Sequence, residues 1–236
     1  MTTELDLSVN AMATDLGPTA QFLDRVVPWP KENEPGFVNL HWTFEGDNKK
    51  HWGGRAVRTV PDAINAIVWA LNNHATRDLY FCTSLQREAK EKTAKNGQKY
   101  WTPIRNQQNA IALKSLFLDV DVKEGGYTSV DEAKNAISRL VKAVPLPAPS
   151  ALVHSGGGLH VYWVLAEAIV PSEWKAASVR LVGAAEKHGL KFDRVCSIDS
   201  ARILRVPQTW NCKGEQRRMV KLLGIAAMET DLAVAA

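Results

Sequence analysis

AIALKSLFLDVDV, residues 110–122, is the stretch that decides the fold. Its apolar and β-branched residues run for the length of a strand, end in the carboxylates of Asp119 and Asp121, and meet a turn at Glu124-Gly125-Gly126. Strand side chains alternate, so Asp119 and Asp121 share one face while Val120 takes the other. Two parallel carboxylates on a rigid strand repel each other unless a cation lies between them, and hard divalent ions such as Mg²⁺ or Mn²⁺ favour oxygen ligands of this kind. A D-x-D pair also occurs on solvated strand ends and in glycosyltransferases. The apolar run directly before it favours a metal site.

Downstream, Ser129 with Glu132 makes a capping box, and Val130, Ala133, Ile137, Leu140, Val141 and Val144 keep one helical face apolar. Residues 151–154 and 159–165 read as an antiparallel strand pair joined by Ser155-Gly156-Gly157-Gly158. Ser172 is expected to cap a helix through Trp174, Val179, Leu181 and Val182 that stops at Gly189. Residues 191–199, 201–206 and 219–223 read as extended. The order strand, helix, strand, strand, helix, strand is a split β-α-β pattern, which predicts an α+β fold with an antiparallel sheet backed by helices.

Upstream, residues 1–22 read as a mobile polar tail and Pro28-Trp29-Pro30 as the entry to ordered structure. Residues 37–44 and 78–84 have strand composition, and Pro61 with Ile64, Ile67, Val68 and Leu71 has helical spacing. Residues 86–100 carry Arg87, Lys90, Lys92, Lys95 and Lys99 with little apolar content and read as a basic surface loop or a solvent-facing helix. Trp42, Trp52, Trp69, Trp163 and Trp174 are assigned to the core. The chain then divides into an N-terminal α/β half over 23–107 and a sheet-based half over 108–225.

Composition is that of a globular protein: 236 residues, 45% hydrophobic, 23% charged, with no stretch near the ~18 apolar residues of a membrane span. The first residues show no basic segment and no apolar leader, which predicts a cytoplasmic location. Cys82, Cys196 and Cys212 are odd in number and have no C-x-x-C spacing, so neither a disulfide framework nor a zinc ribbon is indicated. A net charge of +4 permits a nucleic-acid partner without requiring one.

Two further segments carry chemistry. In Ser155-Gly156-Gly157-Gly158-Leu159-His160 the glycines let backbone N–H groups approach an anion, with Ser155 and His160 as added donors, although a plain hairpin has the same composition. In residues 198–207, IDSARILRVP, Asp199 offers a third carboxylate, and Arg202 and Arg205 offer charge for phosphates. Asp193 competes as the third acid; Asp199 is preferred because an apolar residue precedes it and a strand follows. On a regular strand Arg202 and Arg205 face opposite sides, so only one enters a cleft, with Arg202 the first choice.

Taken together, D-x-D at 119–121, S-x-H-like glycines and histidine at 155–160, and the Ile198-Asp199 pair resemble the archaeo-eukaryotic primase superfamily. More narrowly, Arg202-Ile203-Leu204-Arg205-Val206-Pro207-Gln208-Thr209-Trp210-Asn211 is similar to the R-x-L-R-x-P-G-T-x-N signature of its plasmid and phage primases, with Gln208 in place of the glycine. The resemblance implies an RRM-like palm packed against an N-terminal α/β unit, with the active site between them. It implies a two-metal Mg²⁺ or Mn²⁺ site on Asp119, Asp121 and Asp199. Ser155, Gly157, His160, Arg202 and Arg205 would bind the nucleotide, an NTP or dNTP. Arg87, Lys90, Lys99 and Trp101 are candidates for the phosphates and bases of a single-stranded DNA template. Related proteins continue into a helicase or a helical domain, so a replicative helicase is an expected partner and an excised catalytic core an expected description of the chain.

Two readings from other classes stand against this one. A non-catalytic RRM-like module would show aromatic RNP segments on central strands, and none matches. A D-x-D glycosyltransferase would show a glycine fingerprint before Asp119, and none is present.

Overall fold

The structure, a computed structural model, describes residues 15–44, 51–73, 76–214 and 216–226. The helices are α1 (Gly17–Val26), α2 (Val60–Leu71), α3 (Val130–Ala143), α4 (Pro171–Lys187) and α5 (Arg194–Ser197). The strands are β1 (Val38–Phe44), β2 (His51–Val57), β3 (Thr76–Cys82), β4 (Ser84–Gln86), β5 (Ala89–Thr93), β6 (Lys99–Pro103), β7 (Ala110–Asp121), β8 (Ala151–His154), β9 (Gly158–Ile169), β10 (Ile203–Arg205), β11 (Trp210–Asn211), β12 (Arg218–Met219) and β13 (Lys221–Ile225).

The palm is an antiparallel sheet in the order β13-β8-β9-β7-β4, and a second antiparallel sheet runs β10-β3-β1-β2. The α+β class and the β7-α3-β8-β9-α4 order are those the sequence predicts. The division at residue 107 is crossed twice: β4 pairs with β7 in the palm, and β10 pairs with β3 in the N-terminal sheet. Both sheets therefore share one core. Phe22 of α1 is its joint, edge-on to Phe81 at 5.5 Å in one sheet and to Tyr162 at 5.3 Å in the other. The cost of truncating so buried an aromatic is about 3–5 kcal/mol.

Local rules explain the framing helices. Thr59 and Ser129 accept from the N–H groups of Asp62 and Glu132 at the starts of α2 and α3, and Gly189, at φ 71, closes the turn after α4. The Glu132 carboxylate takes the N–H and hydroxyl of Thr128, one residue before the N-cap, rather than closing the box on Ser129.

Several expectations are corrected. Residues 17–22 belong to α1 with Thr19 and Phe22 buried, because Pro18 pre-sets the first turn and the apolar stripe packs on both sheets; the tail expected over 1–14 and the C-terminal residues 229–236 lie outside the described residues. The basic segment is an antiparallel hairpin, β5 with β6, rather than a loop or helix. Ser172 does not cap α4; Pro171 takes the first turn and Val170 is an N-cap without a side-chain bond. The segment 191–199 contains α5, started by the Asp193 side chain accepting from the Cys196 N–H, rather than an extended run. Trp42, Trp163 and Trp174 are buried as expected, but Trp52 and Trp69 are 50% and 49% exposed.

Candidate active site

β4 reaches only as far as Leu113 along β7, so from Ser115 onward one edge of β7 has no strand beside it. The exposed backbone groups there need partners, and loops and helix starts supply them. The Trp174 indole donates to the Ser115 carbonyl at 2.8 Å, and the Tyr127 N–H to the Asp121 carbonyl at 3.1 Å. Between them the Asp119 N–H donates to Ser197 Oγ at 3.3 Å, and the Asp193 N–H donates to the Asp119 carbonyl at 2.7 Å. The start of α5 is thereby tied to the D-x-D strand, and with it the carboxylate of Asp193.

Asp199 lies elsewhere. Its Oδ1 accepts from Gln107 Nε2 at 2.9 Å and from the Ala201 N–H at 3.0 Å, so it closes the turn before β10. The acid whose backbone is tied to Asp119 is Asp193, whereas Asp199 is held by Gln107 and the Ala201 N–H. An apolar residue before an acid says nothing about which acid meets an open strand edge.

Lys123 already neutralises this cluster. Its Nζ lies 2.7 Å from Asp121 Oδ2, and the hydrogen bond to Asp121, with the further charges of Asp119 and Asp193, raises its pKa. Among the described residues no three His, Cys, Asp or Glu side chains are close enough to hold a metal as they stand. The donor set nevertheless fits one. Asp121 pairs with an exposed lysine side chain able to leave, and the charges of Asp119 and Asp193 act on the same ammonium.

His160 pairs across β7 and β9 with Asp119, its Nε2 3.7 Å from Asp119 Oδ1. Burial holds its pKa down to about 4, with the Arg205 and Arg202 charges adding to the effect and Asp119 opposing it, so it is neutral at pH 7. Its Nδ1 is buried without a partner. In the glycine turn the carbonyls of Ser155, Gly156 and Gly157 accept from Asn211 Nδ2, an Arg218 guanidinium nitrogen and the Val122 N–H. The Ser155 hydroxyl donates to the Gly158 carbonyl at 3.2 Å, so it closes the turn and is not a free donor. A Cβ at Gly158 would sit 2.3 Å from the Val120 carbonyl oxygen, and Gly156 has φ +82, whereas a Cβ at Gly157 meets nothing nearer than 3.8 Å; the opening is at Gly157.

The charges of Arg202 and Arg205 both lower the His160 pKa. Arg202 precedes β10, held in the turn by its N–H to the Asp199 carbonyl, so strand alternation does not apply to it. Its Nε is buried without a partner.

No protein-family model matches the chain. A replication protein of Clostridium perfringens is 31% identical over 124 residues, 49% of this chain, and the match spans 28% of that protein's length. Among solved structures, the primase-polymerase (AEP) domain of cyanophage S-2L superposes with a TM-score of 0.60 at 12% identity, covering 94% of this chain and 96% of that one. The primase RepB′ matches with a TM-score of 0.53 over 92% of this chain and 60% of that one. Its catalytic domain in complex with initiator DNA matches at 0.52 over 98% and 92%, both at 12% identity.

The chain has the fold of an archaeo-eukaryotic primase-polymerase domain.

Within that primase fold, four partners escaped the sequence reading. Asp78, buried, holds Arg205 at 3.3 Å and accepts from the Cys212 N–H at 3.1 Å. Asn211 anchors the glycine turn; its place in the R-x-L-R-x-P-G-T-x-N pattern was a signal that could have singled it out. Gln107 fixes Asp199, and Lys123 covers the acids. Gln208 adopts φ 60, the left-handed region that glycine favours, and its Oε1 accepts from the Thr19 N–H at 3.1 Å and hydroxyl at 2.6 Å, which ties α1 to the signature. In the hairpin, Lys99 pairs with Glu91 at 2.7 Å and Trp101, 40% exposed, lies 5.3 Å from Phe37; Arg87 and Lys90 are exposed. Among the described residues no helix is long and apolar enough to cross a membrane.

Proposed function

We propose that this chain is the catalytic domain of a template-dependent DNA primase or primase-polymerase, joining nucleotides on single-stranded DNA in phage or plasmid replication. The observation that carries the reading is the placing of Asp193 on the open edge of β7, beside Asp119 and Asp121 and within reach of the same cation. On this reading Asp119, Asp121 and Asp193 would hold the divalent ions in place of the Lys123 ammonium. Bound Mg²⁺ or Mn²⁺ would supply acidification of the attacking 3′-hydroxyl and charge neutralisation of the departing pyrophosphate.

The chain's own groups position the nucleotide. The amides of Gly156 and Gly157, which have no recorded protein partner among the described residues, face an anion with no side chain between them at Gly157. Neutral His160 donates one hydrogen bond to a phosphate oxygen without competing with a cation for Asp119. Arg202 brings an uncommitted Nε, while Arg205, clamped by Asp78, forms a fixed positive wall. Lys90 with Tyr100, Arg87 and Trp101 line an outlying path for template phosphates and bases.

The test is primer synthesis on single-stranded DNA with labelled NTPs or dNTPs and Mg²⁺ or Mn²⁺, beside an Asp119→Ala, Asp121→Ala double variant. Products that need metal and vanish in the variant are expected. No product from a folded wild-type domain, with single-stranded DNA still bound, would replace this reading by a non-catalytic binding module, for which the closed Lys123–Asp121 pair speaks.

A further inference from the structure

The N-terminal sheet has one apolar face and one polar face, the latter opening to solvent at Trp52. Leu40, Trp42, Leu79, Phe81 and Leu204 are buried, with Phe22 of α1 on Phe81 and Trp69 of α2 on Trp42. Alternation sends their neighbours the other way. Register confirms it: His41 is opposite Tyr80, Tyr80 opposite Arg205, and Thr43 opposite Trp52. On that face the Arg205 guanidinium lies 5.3 Å from the Tyr80 ring, and Tyr80 lies 5.7 Å from Trp52, with His41 edge-on to Trp52 at 6.5 Å.

Three features of this row, taken among the described residues, suit a ligand. Trp52 is 50% exposed although aromatic side chains stand beside it. His41 Nε2 is buried without a hydrogen-bond partner among the described residues. Burial and the Arg105 charge hold His41 down to about pKa 4, so its ring is neutral at pH 7 and offers one donor and one acceptor. A half-exposed indole next to an unsatisfied neutral imidazole suits a flat molecule with a hydrogen-bonding edge.

We propose that Trp52, backed by Tyr80 and flanked by His41, is a stacking platform for one unpaired base of the DNA template. This rests on the primase reading above. The row starts at Arg205, whose charge acts on His160, and leads away from the phosphate donors across two successive side chains. It therefore follows the strand rather than the incoming nucleotide. Stacking tolerates any base, which fits a template whose sequence varies.

The test is equilibrium binding of a labelled oligothymidylate, and of the same oligomer with one abasic site moved along it, to wild type, Trp52→Ala and Trp52→Phe, with nucleotide binding measured separately. The alanine variant should bind the intact oligomer about 10-fold more weakly and the phenylalanine variant less than about 3-fold. One abasic position should weaken wild type and leave Trp52→Ala unchanged. Trp52 is half-exposed, so folding is checked by circular dichroism, and the phenylalanine variant serves if the alanine variant fails. Unchanged DNA affinity in a folded Trp52→Ala protein overturns the proposal while primer synthesis by wild type keeps the primase reading. Weakened nucleotide binding with unchanged DNA binding overturns the template assignment. Wild type that neither binds DNA nor makes primers overturns both.

Discussion

Replacing Asp193 by Asn separates its two duties. As the N-cap of α5 it accepts from the Cys196 N–H at 2.9 Å through Oδ1, and an Asn oxygen caps as well as an Asp oxygen, so stability should change by less than about 0.5 kcal/mol. As a ligand it loses its charge. Changing a group that only hydrogen-bonds a metal ligand typically lowers metal affinity or activity by about 10–100-fold, so neutralising a ligand itself should cost primer synthesis at least about 100-fold. Asp199→Asn is the control. Its amide oxygen still accepts from Ala201 and Gln107, so synthesis should stay within about threefold of wild type, while Asp199→Ala, which loses both bonds, should lose about 1–2 kcal/mol. The assays are Mn²⁺ titration by calorimetry, primer synthesis at saturating nucleotide, and urea unfolding. An active Asp193→Asn beside a folded but inactive Asp199→Asn would refute the assignment of the third acid.

Gln208→Gly should unfold at higher urea than Gln208→Ala, reversing the usual order. Both lose the two bonds to Thr19, but only glycine is relieved of the left-handed conformation, a difference of about 1 kcal/mol. Lys123→Met should bind Mn²⁺ more tightly by up to about 5-fold, because an exposed ion pair worth about 0.2–1 kcal/mol no longer has to break; weaker binding in the calorimeter would count against the displaced-lysine picture. Stability should fall as pH drops from about 6.5 towards 4. His41 and His160, both held to about 4, stay neutral in the native state while the unfolded chain takes up protons, a loss on the order of 3 kcal/mol for each histidine. Urea midpoints at pH 7, 5.5 and 4.5 check this, and His41→Gln should flatten the slope.

The palm was legible because its signals are local. The run 110–122, the capping box at Ser129 and the glycine turn at 155–158 each state a strand, a helix start or a hairpin within a dozen residues. What failed depends on distant partners. Residues 17–22 look polar until Phe22 is set between Phe81 and Tyr162, and the basic stretch 86–100 pairs as a hairpin because cross-strand partners such as Glu91 with Lys99 outweigh its low apolar content. The exchange of β4 and β10 between sheets leaves no mark in composition. Around the D-x-D strand, the shared register of Asp119, Asp121 and His160 was readable from strand period and spacing. Asp193 over Asp199 was not, since the deciding fact is the bare edge of β7 that α5 must cover.

That edge also accounts for the charge balance of the cleft. A bare strand edge leaves the Asp119 N–H and carbonyl to be satisfied by a helix start, and a helix start favours a capping acid, so the demand that completes the backbone bonds also brings Asp193 to that edge. Three acids then require a cation. An imidazolium at position 160 would supply it permanently, but burial keeps that ring neutral, and Arg205 is committed to Asp78. The remaining counter-charge on Asp121 is the exposed, flexible Lys123 ammonium, which can be exchanged at little cost, whereas a buried guanidinium could not. A mobile positive charge of that kind offsets the Asp121 charge while leaving the position open to a divalent ion from solution.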